Sequence, residues 1–166
     1  MISINAAAPG TLNVQALGAA RFPRAVETGI PACADSGVMV CVPAEVSRFD
    51  ALMQKGLATA RELDARLYLV HVETLSESLR GGAKATLREL LDRALAAHQD
   101  AEAVWLRARE PAAALLEFAR EAGVDRIVIG RGNTRSRNLF RRSCCAELID
   151  RARNVTVEIV GFDSRG

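Results

Sequence analysis

Between Asp125 and Cys145 the chain reads DRIVIGRGNTRSRNLFRRSCC, a stretch whose residue types suit the holding of anions. A short apolar run, Ile127-Val128-Ile129, breaks at Gly130 and Gly132 and is followed by Arg131, Arg135, Arg137, Arg141 and Arg142, with no acid before Glu147. Glycines let backbone come close to a ligand, a following helix offers unpaired N–H groups, and arginines add formal positive charge. A phosphate-bearing small molecule is the ligand this pattern predicts. Backbone at Gly130, Arg131, Gly132 and Asn133 and at Ser143, Cys144 and Cys145 would cradle the phosphate, and Arg131, Arg135 and Arg142 would neutralise it. The competing reading is a positively charged surface that meets a protein partner.

Other reactive residue types are sparse. His71 lies in an apolar run between Val70 and Val72, with no Ser, Cys or Asp beside it in sequence, and reads as a core or strand-end histidine. His98, at the polar end of a helix, reads as solvent-facing. Glu73 is the single carboxylate placed near a strand's carboxyl end, with a solvated loop acid as its plain reading; Asp125 precedes its strand and falls at the opposite end. Cys33, Cys41, Cys144 and Cys145 have neither zinc-ribbon nor CxxC spacing, and a disulfide between the neighbours Cys144 and Cys145 is geometrically difficult. They read as buried or half-buried thiols in a reducing compartment. A metal site is not expected, and no Walker-type GKS or GKT follows a glycine loop.

The elements that must position these residues begin at Val38. Val38 to Val42 is a buried strand closed by Pro43, and Ser47 to Asp50 has capping-box spacing ahead of a helix with Phe49, Leu52, Met53, Gly56, Leu57, Ala60 and Leu63 on one face. Leu67 to Val72 is the second strand, followed by a loop from Glu73 to Gly82 and a helix carrying Leu87, Leu90, Leu91, Ala94 and Leu95 inward. Val104 to Leu106 is the third strand; Pro111 opens the next helix and Gly123 stands where its C-terminal cap belongs. Ile127 to Ile129 is the fourth. After the basic loop, Cys145, Leu148, Ile149 and Ala152 mark the inner face of a last helix, and Val155, Val157 and Ile159 alternate in a final strand. Strands alternating with helices predict a parallel, doubly wound α/β sheet with its ligand beyond the carboxyl ends of the strands.

Residues 1–37 precede this domain as an extension punctuated by Pro9, Pro23 and Pro31, with a short helix conceivable over Thr11 to Ala20; residues 38–162 form the domain, and 163–166 a polar tail. At 166 residues, 49% apolar and 25% charged, the chain has the composition of one folded domain. No apolar run approaches the roughly 18 residues that span a membrane, so the expected address is the cytoplasm, without a membrane partner. A net charge of +2 does not imply a nucleic-acid partner. The final strand, at a sheet edge with an apolar face, predicts a homodimer.

The order of elements from Val38 to Val160, and above all IVIGRGNTRSRNLFRRSCCAELIDRA, resembles the universal stress protein superfamily, closest to the version embedded in sensor kinases of the Kdp potassium-uptake system. The resemblance covers about three quarters of the chain, as the extension lies outside it. It implies a Rossmann-like fold related to the adenine nucleotide alpha hydrolases, five parallel strands in the order 3-2-1-4-5. Nucleotide-binding members carry Gly, two residues, Gly, nine residues, Gly, then Ser or Thr. On this chain those positions are Gly130, Asn133, Ser143 and Cys144, and the family's nucleoside-contacting aspartate falls on Pro43. By the resemblance, Cys41, Pro43, Val72 and Ile129 would line the base or its vacant pocket. The ligand implied is ATP, AMP or, as in some kinase-embedded members, a cyclic dinucleotide.

The function expected is that of a non-enzymatic regulatory domain which binds a phosphorylated small molecule or nucleotide and acts through dimerisation or a partner. The alternative is a protein-interaction module whose degenerate pocket binds no ATP and whose arginine-rich loop meets an acidic surface. An enzyme of the same architecture lacks support: no HIGH-like or SGGxDS-like sequence and no acid/base pair are present.

Overall fold

A computed structural model describes residues 2–8, 11–16, 36–74, 81–98, 100–131 and 144–162. In chain order the elements are β1 (Ile2–Ala8), β2 (Thr11–Ala16), β3 (Gly37–Cys41), α1 (Phe49–Leu63), β4 (Arg66–Thr74), α2 (Gly81–Ala97), β5 (Ala101–Ala108), α3 (Pro111–Glu121), β6 (Val124–Gly130), α4 (Cys144–Arg151) and β7 (Thr156–Val160). Strands β3 to β7 form an all-parallel sheet ordered β5-β4-β3-β6-β7. This is the 3-2-1-4-5 order that the family resemblance implies.

Side-chain alternation along the buried strands divides the core into two layers. Val38, Val40, Leu67 and Leu69 face Leu52, Met53 and Ala60 of α1 and Leu87 and Leu91 of α2. Met39, Tyr68, Val70 and Ile127 face Leu115, Phe118 and Ala119 of α3 and Leu148 of α4. Helices therefore cover both faces, which explains why β3, β4 and β6 read as continuous apolar runs. Helix α1 lies so close to β3 that a Cβ at Gly56 would sit 2.2 Å from Val40 Cγ2. Pro111 fills the first turn of α3, and Gly123, at φ +65°, takes the left-handed position after that helix.

Several local expectations are corrected. Thr11–Ala16 is a strand, not a helix: it pairs antiparallel with β1, and β1 pairs parallel with β5, so the sheet grows to seven strands. The weak helical pattern there, interrupted by Gly18, gives way to backbone pairing along an open sheet edge. The capping box does not form. Residues Val46–Arg48 make a 3₁₀ turn, the Ser47 hydroxyl donates to Glu45 Oε1 at 3.2 Å, and among the described residues no side chain accepts from the first N–H groups of α1. Strand β4 runs on to Thr74, and Gly81-Gly82 lie in the first turn of α2. Ile149, expected on the inner face of the last helix, is 50% exposed, and Ile159 of β7 is 44% exposed.

Candidate functional site

Strand β3 has neighbours on both sides whose connections leave over opposite faces of the sheet, so a crevice opens at its carboxyl end. A cavity of about 460 Å³ occupies it, walled by β3 and the turn after it, β4, β6, α3, Cys144 of α4 and Phe162 after β7. Of the residues singled out in the sequence, Cys41, Pro43, Val72, Ile129, Gly130 and Cys144 all border this cavity. Arg131 is exposed at its margin; its N–H donates to the Val160 carbonyl at 2.9 Å. Cys145 is half-buried beside Cys144. Gly132, Asn133, Arg135, Arg142 and Ser143 lie outside the described residues.

The cavity exists because two neighbouring strands differ in length. Register pairs Cys41 with Val70, and Val42 N–H donates to the Val70 carbonyl at 2.8 Å. At Pro43, whose ring fixes φ, the chain turns away and the ladder to β4 ends. Strand β4 continues four residues further. In a parallel ladder alternate residues direct both backbone groups to the same side, so Val72 directs its N–H and C=O where those of Val70 point. Among the described residues no backbone group of the β3 side closes on them. One donor and one acceptor thus stand side by side at the cavity wall, an arrangement that pairs with the edge of a nucleobase.

The three described cysteines are free thiols gathered near this wall. Burial pushes Cys41 well above the usual thiol range, and Cys144 and Cys145 add to the effect. Burial, with Glu147 and Cys145, raises Cys144 to about 11. Cys145 is raised by burial against the opposing pull of Arg131. All three are therefore protonated near neutral pH and poor nucleophiles. Cys41 and Cys144 serve as small apolar wall. Among the described residues no group of three or more His, Cys, Asp or Glu is placed to hold a metal ion.

Two residues of β4, His71 at the cavity wall and Glu73 beyond it in the strand, both meet Trp105. His71 is 4% exposed; its ring packs against Trp105 with centroids 4.5 Å apart, and burial is the main cause holding its pKa below the ordinary value. Glu73 is no solvated loop acid: it belongs to β4 and is 6% exposed. Lys84 Nζ (3.2 Å), Arg107 Nε (3.0 Å) and Trp105 Nε1 (3.3 Å) all reach its Oε2. Burial would raise this carboxyl, but hydrogen bonds from Arg107, Lys84 and Trp105 outweigh it and lower the pKa. Trp105 and Arg107 of β5 are 32 and 34 residues away and Lys84 of α2 is 11 away, so local sequence carries no sign of them. Asp125 lies at the far end of the sheet, accepting from Ser36 Oγ at 2.6 Å, and His98, at the end of α2, is half-buried rather than solvent-facing.

No protein-family model matches the sequence, and no curated protein is significantly similar to it. Solved structures do resemble it. A universal stress protein in complex with cAMP is 26% identical with a TM-score of 0.58, over 76% of this chain and 96% of that one. A universal stress protein family member from Burkholderia pseudomallei is 22% identical with a TM-score of 0.57, over 78% and 98%. The universal stress protein from Archaeoglobus fulgidus in complex with dAMP is 20% identical with a TM-score of 0.56, over 75% and 96%. The architecture is that of the universal stress proteins.

Proposed function

We propose that this chain is a universal stress protein-like regulatory domain that binds an adenine nucleotide in the crevice at the end of β3 without turning it over. The observation that carries the reading is the open donor–acceptor pair of Val72 beside a cavity large enough for a nucleoside monophosphate. Complexes of two similar structures with cAMP and with dAMP support an adenine ligand. Three free thiols support a cytoplasmic setting. The basic loop supports a place near the sensor-kinase branch of the family, where cyclic dinucleotides are further ligands to test. Action proceeds through a homodimer formed along the β7 edge, where Ile159 and Ile149 are exposed, or through a protein partner.

The test is calorimetric titration of the nucleotide-free protein with AMP, cAMP, ATP, IMP and a cyclic dinucleotide at about 0.15 M salt, where exposed charges are largely screened. AMP is expected to bind stoichiometrically, and IMP at least about tenfold more weakly, because hypoxanthine reverses the donor and acceptor that Val72 would meet. An Arg131→Ala, Arg142→Ala double variant is expected to lose affinity for phosphorylated ligands. Absence of heat with every nucleotide would overturn the reading. The protein-interaction module would then be favoured, in keeping with a pocket that has Pro43 and no carboxylate among its described lining residues.

A further inference from the structure

The basic loop is the obvious source of charge in the sequence, yet among the described residues a charged side chain borders the cavity from the turn before α1. Among the described lining residues Arg48 is the single ionised group, and no carboxylate shares the wall with it. It stands in the 3₁₀ turn before α1, with its side chain 22% exposed. Three contacts fix the guanidinium: Nη1 donates to the Arg131 carbonyl at 3.1 Å, Nε meets Glu45 Oε2 at 3.0 Å, and Cζ lies 4.9 Å from the centroid of the Phe162 ring. Phe162 in turn packs on Gly130, where a Cβ would be 2.6 Å from its Cε2. The guanidinium is therefore held over the first glycine of the basic loop.

We infer that Arg48 anchors the anionic group of the ligand and that the cavity takes molecules with a flat apolar body joined to a phosphate or similar anion, an inference that rests on the ligand-binding reading above. A fixed fork of N–H donors is suited to phosphate or carboxylate oxygens, and its prior ordering by Phe162 and the Arg131 carbonyl lowers the entropy cost of the contact. Glu45 does not cancel this charge. Its side chain is 56% exposed, so the pair is solvent-screened and an anion arriving from the apolar side competes with it readily.

The experiment measures affinity for AMP, for uncharged adenosine and for anilinonaphthalene sulfonate, an apolar anion unrelated to nucleotides, on the wild type and on Arg48→Met, Arg48→Lys and Glu45→Gln, each checked for folding by circular dichroism. Expected for Arg48→Met is a loss of at least about tenfold for AMP with adenosine unchanged; Arg48→Lys should fall between, and Glu45→Gln should bind AMP severalfold more tightly. Equal losses for AMP and adenosine, or no loss for AMP, would overturn the inference. Should the wild type bind neither nucleoside nor nucleotide, the adenine reading fails by itself. Arg48 is then judged on the sulfonate: saturable binding lost in Arg48→Met sustains the inference, and equal binding in both proteins sinks it. If Arg48→Met does not fold, Arg48→Lys and Glu45→Gln decide it by the same comparison of AMP with adenosine.

Discussion

His71 Nδ1 and the Val42 carbonyl oxygen are 2.9 Å apart, a buried hydrogen bond from β4 to the turn that shapes the cavity. A carbonyl accepts only, so Nδ1 carries the proton. Nε2 is buried without a partner among the described residues. Burial keeps the ring neutral at pH 7, and the unfolded chain takes up the proton more readily than the folded one. Stability is therefore predicted to fall as pH drops below about 6.5, the ordinary histidine value. Urea unfolding at pH 7.5 and 5.5 should show the loss in the wild type and a smaller one in His71→Asn.

Glu73 has the opposite chemistry but the same direction of change. Its folded pKa is below the unfolded one, so its contribution is full above about pH 4.5 and disappears as pH falls through the folded value. Glu73→Gln should flatten that acid limb and cost on the order of 2 kcal/mol at neutral pH, since two cations lose their buried anionic partner. The half-exposed Arg107 tempers the loss. An acid titration followed by circular dichroism distinguishes the two proteins.

Gly56→Ala is predicted to destabilise the domain by about 1–3 kcal/mol despite the better helix propensity of alanine. The added methyl collides with Val40 Cγ2, and Val40 is 1% exposed, with little room to turn. A lowered denaturation midpoint at unchanged m-value is the expected result.

At the β7 edge, Ile159→Lys should leave the unfolding midpoint of the isolated chain nearly unchanged, because that side chain is already 44% exposed. Sedimentation of the wild type is expected to give a dimer and of this variant a monomer. A wild-type monomer at tens of micromolar, an order-of-magnitude concentration for such assemblies, would remove the proposed dimer.

Strands β3, β4 and β6 were legible because burial on both faces leaves unbroken apolar runs such as Val38 to Val42, the edge strand β7 showed by its alternation of Val157 and Ile159 with polar residues, and Gly130 and Pro43 mark where the runs end at the site. Arg48 was not. Its sequence neighbours suggest only a helix cap, and its role arises from Phe162 and Arg131, which are more than 80 residues away. Glu73 was misread for a similar reason: a carboxylate at the end of an apolar run gives no local sign that Lys84, Trp105 and Arg107 will enclose it. Strand β2 escaped because edge pairing depends on a vacancy in the sheet, which no short window of residues encodes.

Strand β4 outlasting β3 has one more consequence. The recognition element proposed at Val72 is peptide backbone, common to every residue type except proline, so side-chain replacement there would alter the room for a ligand while sparing the groups proposed to read it. An alanine scan would overlook such a reader. Proline at position 72, or two added residues that let the shorter strand catch up, would silence it, and sequences that have drifted far apart can keep it without sharing a single identical side chain.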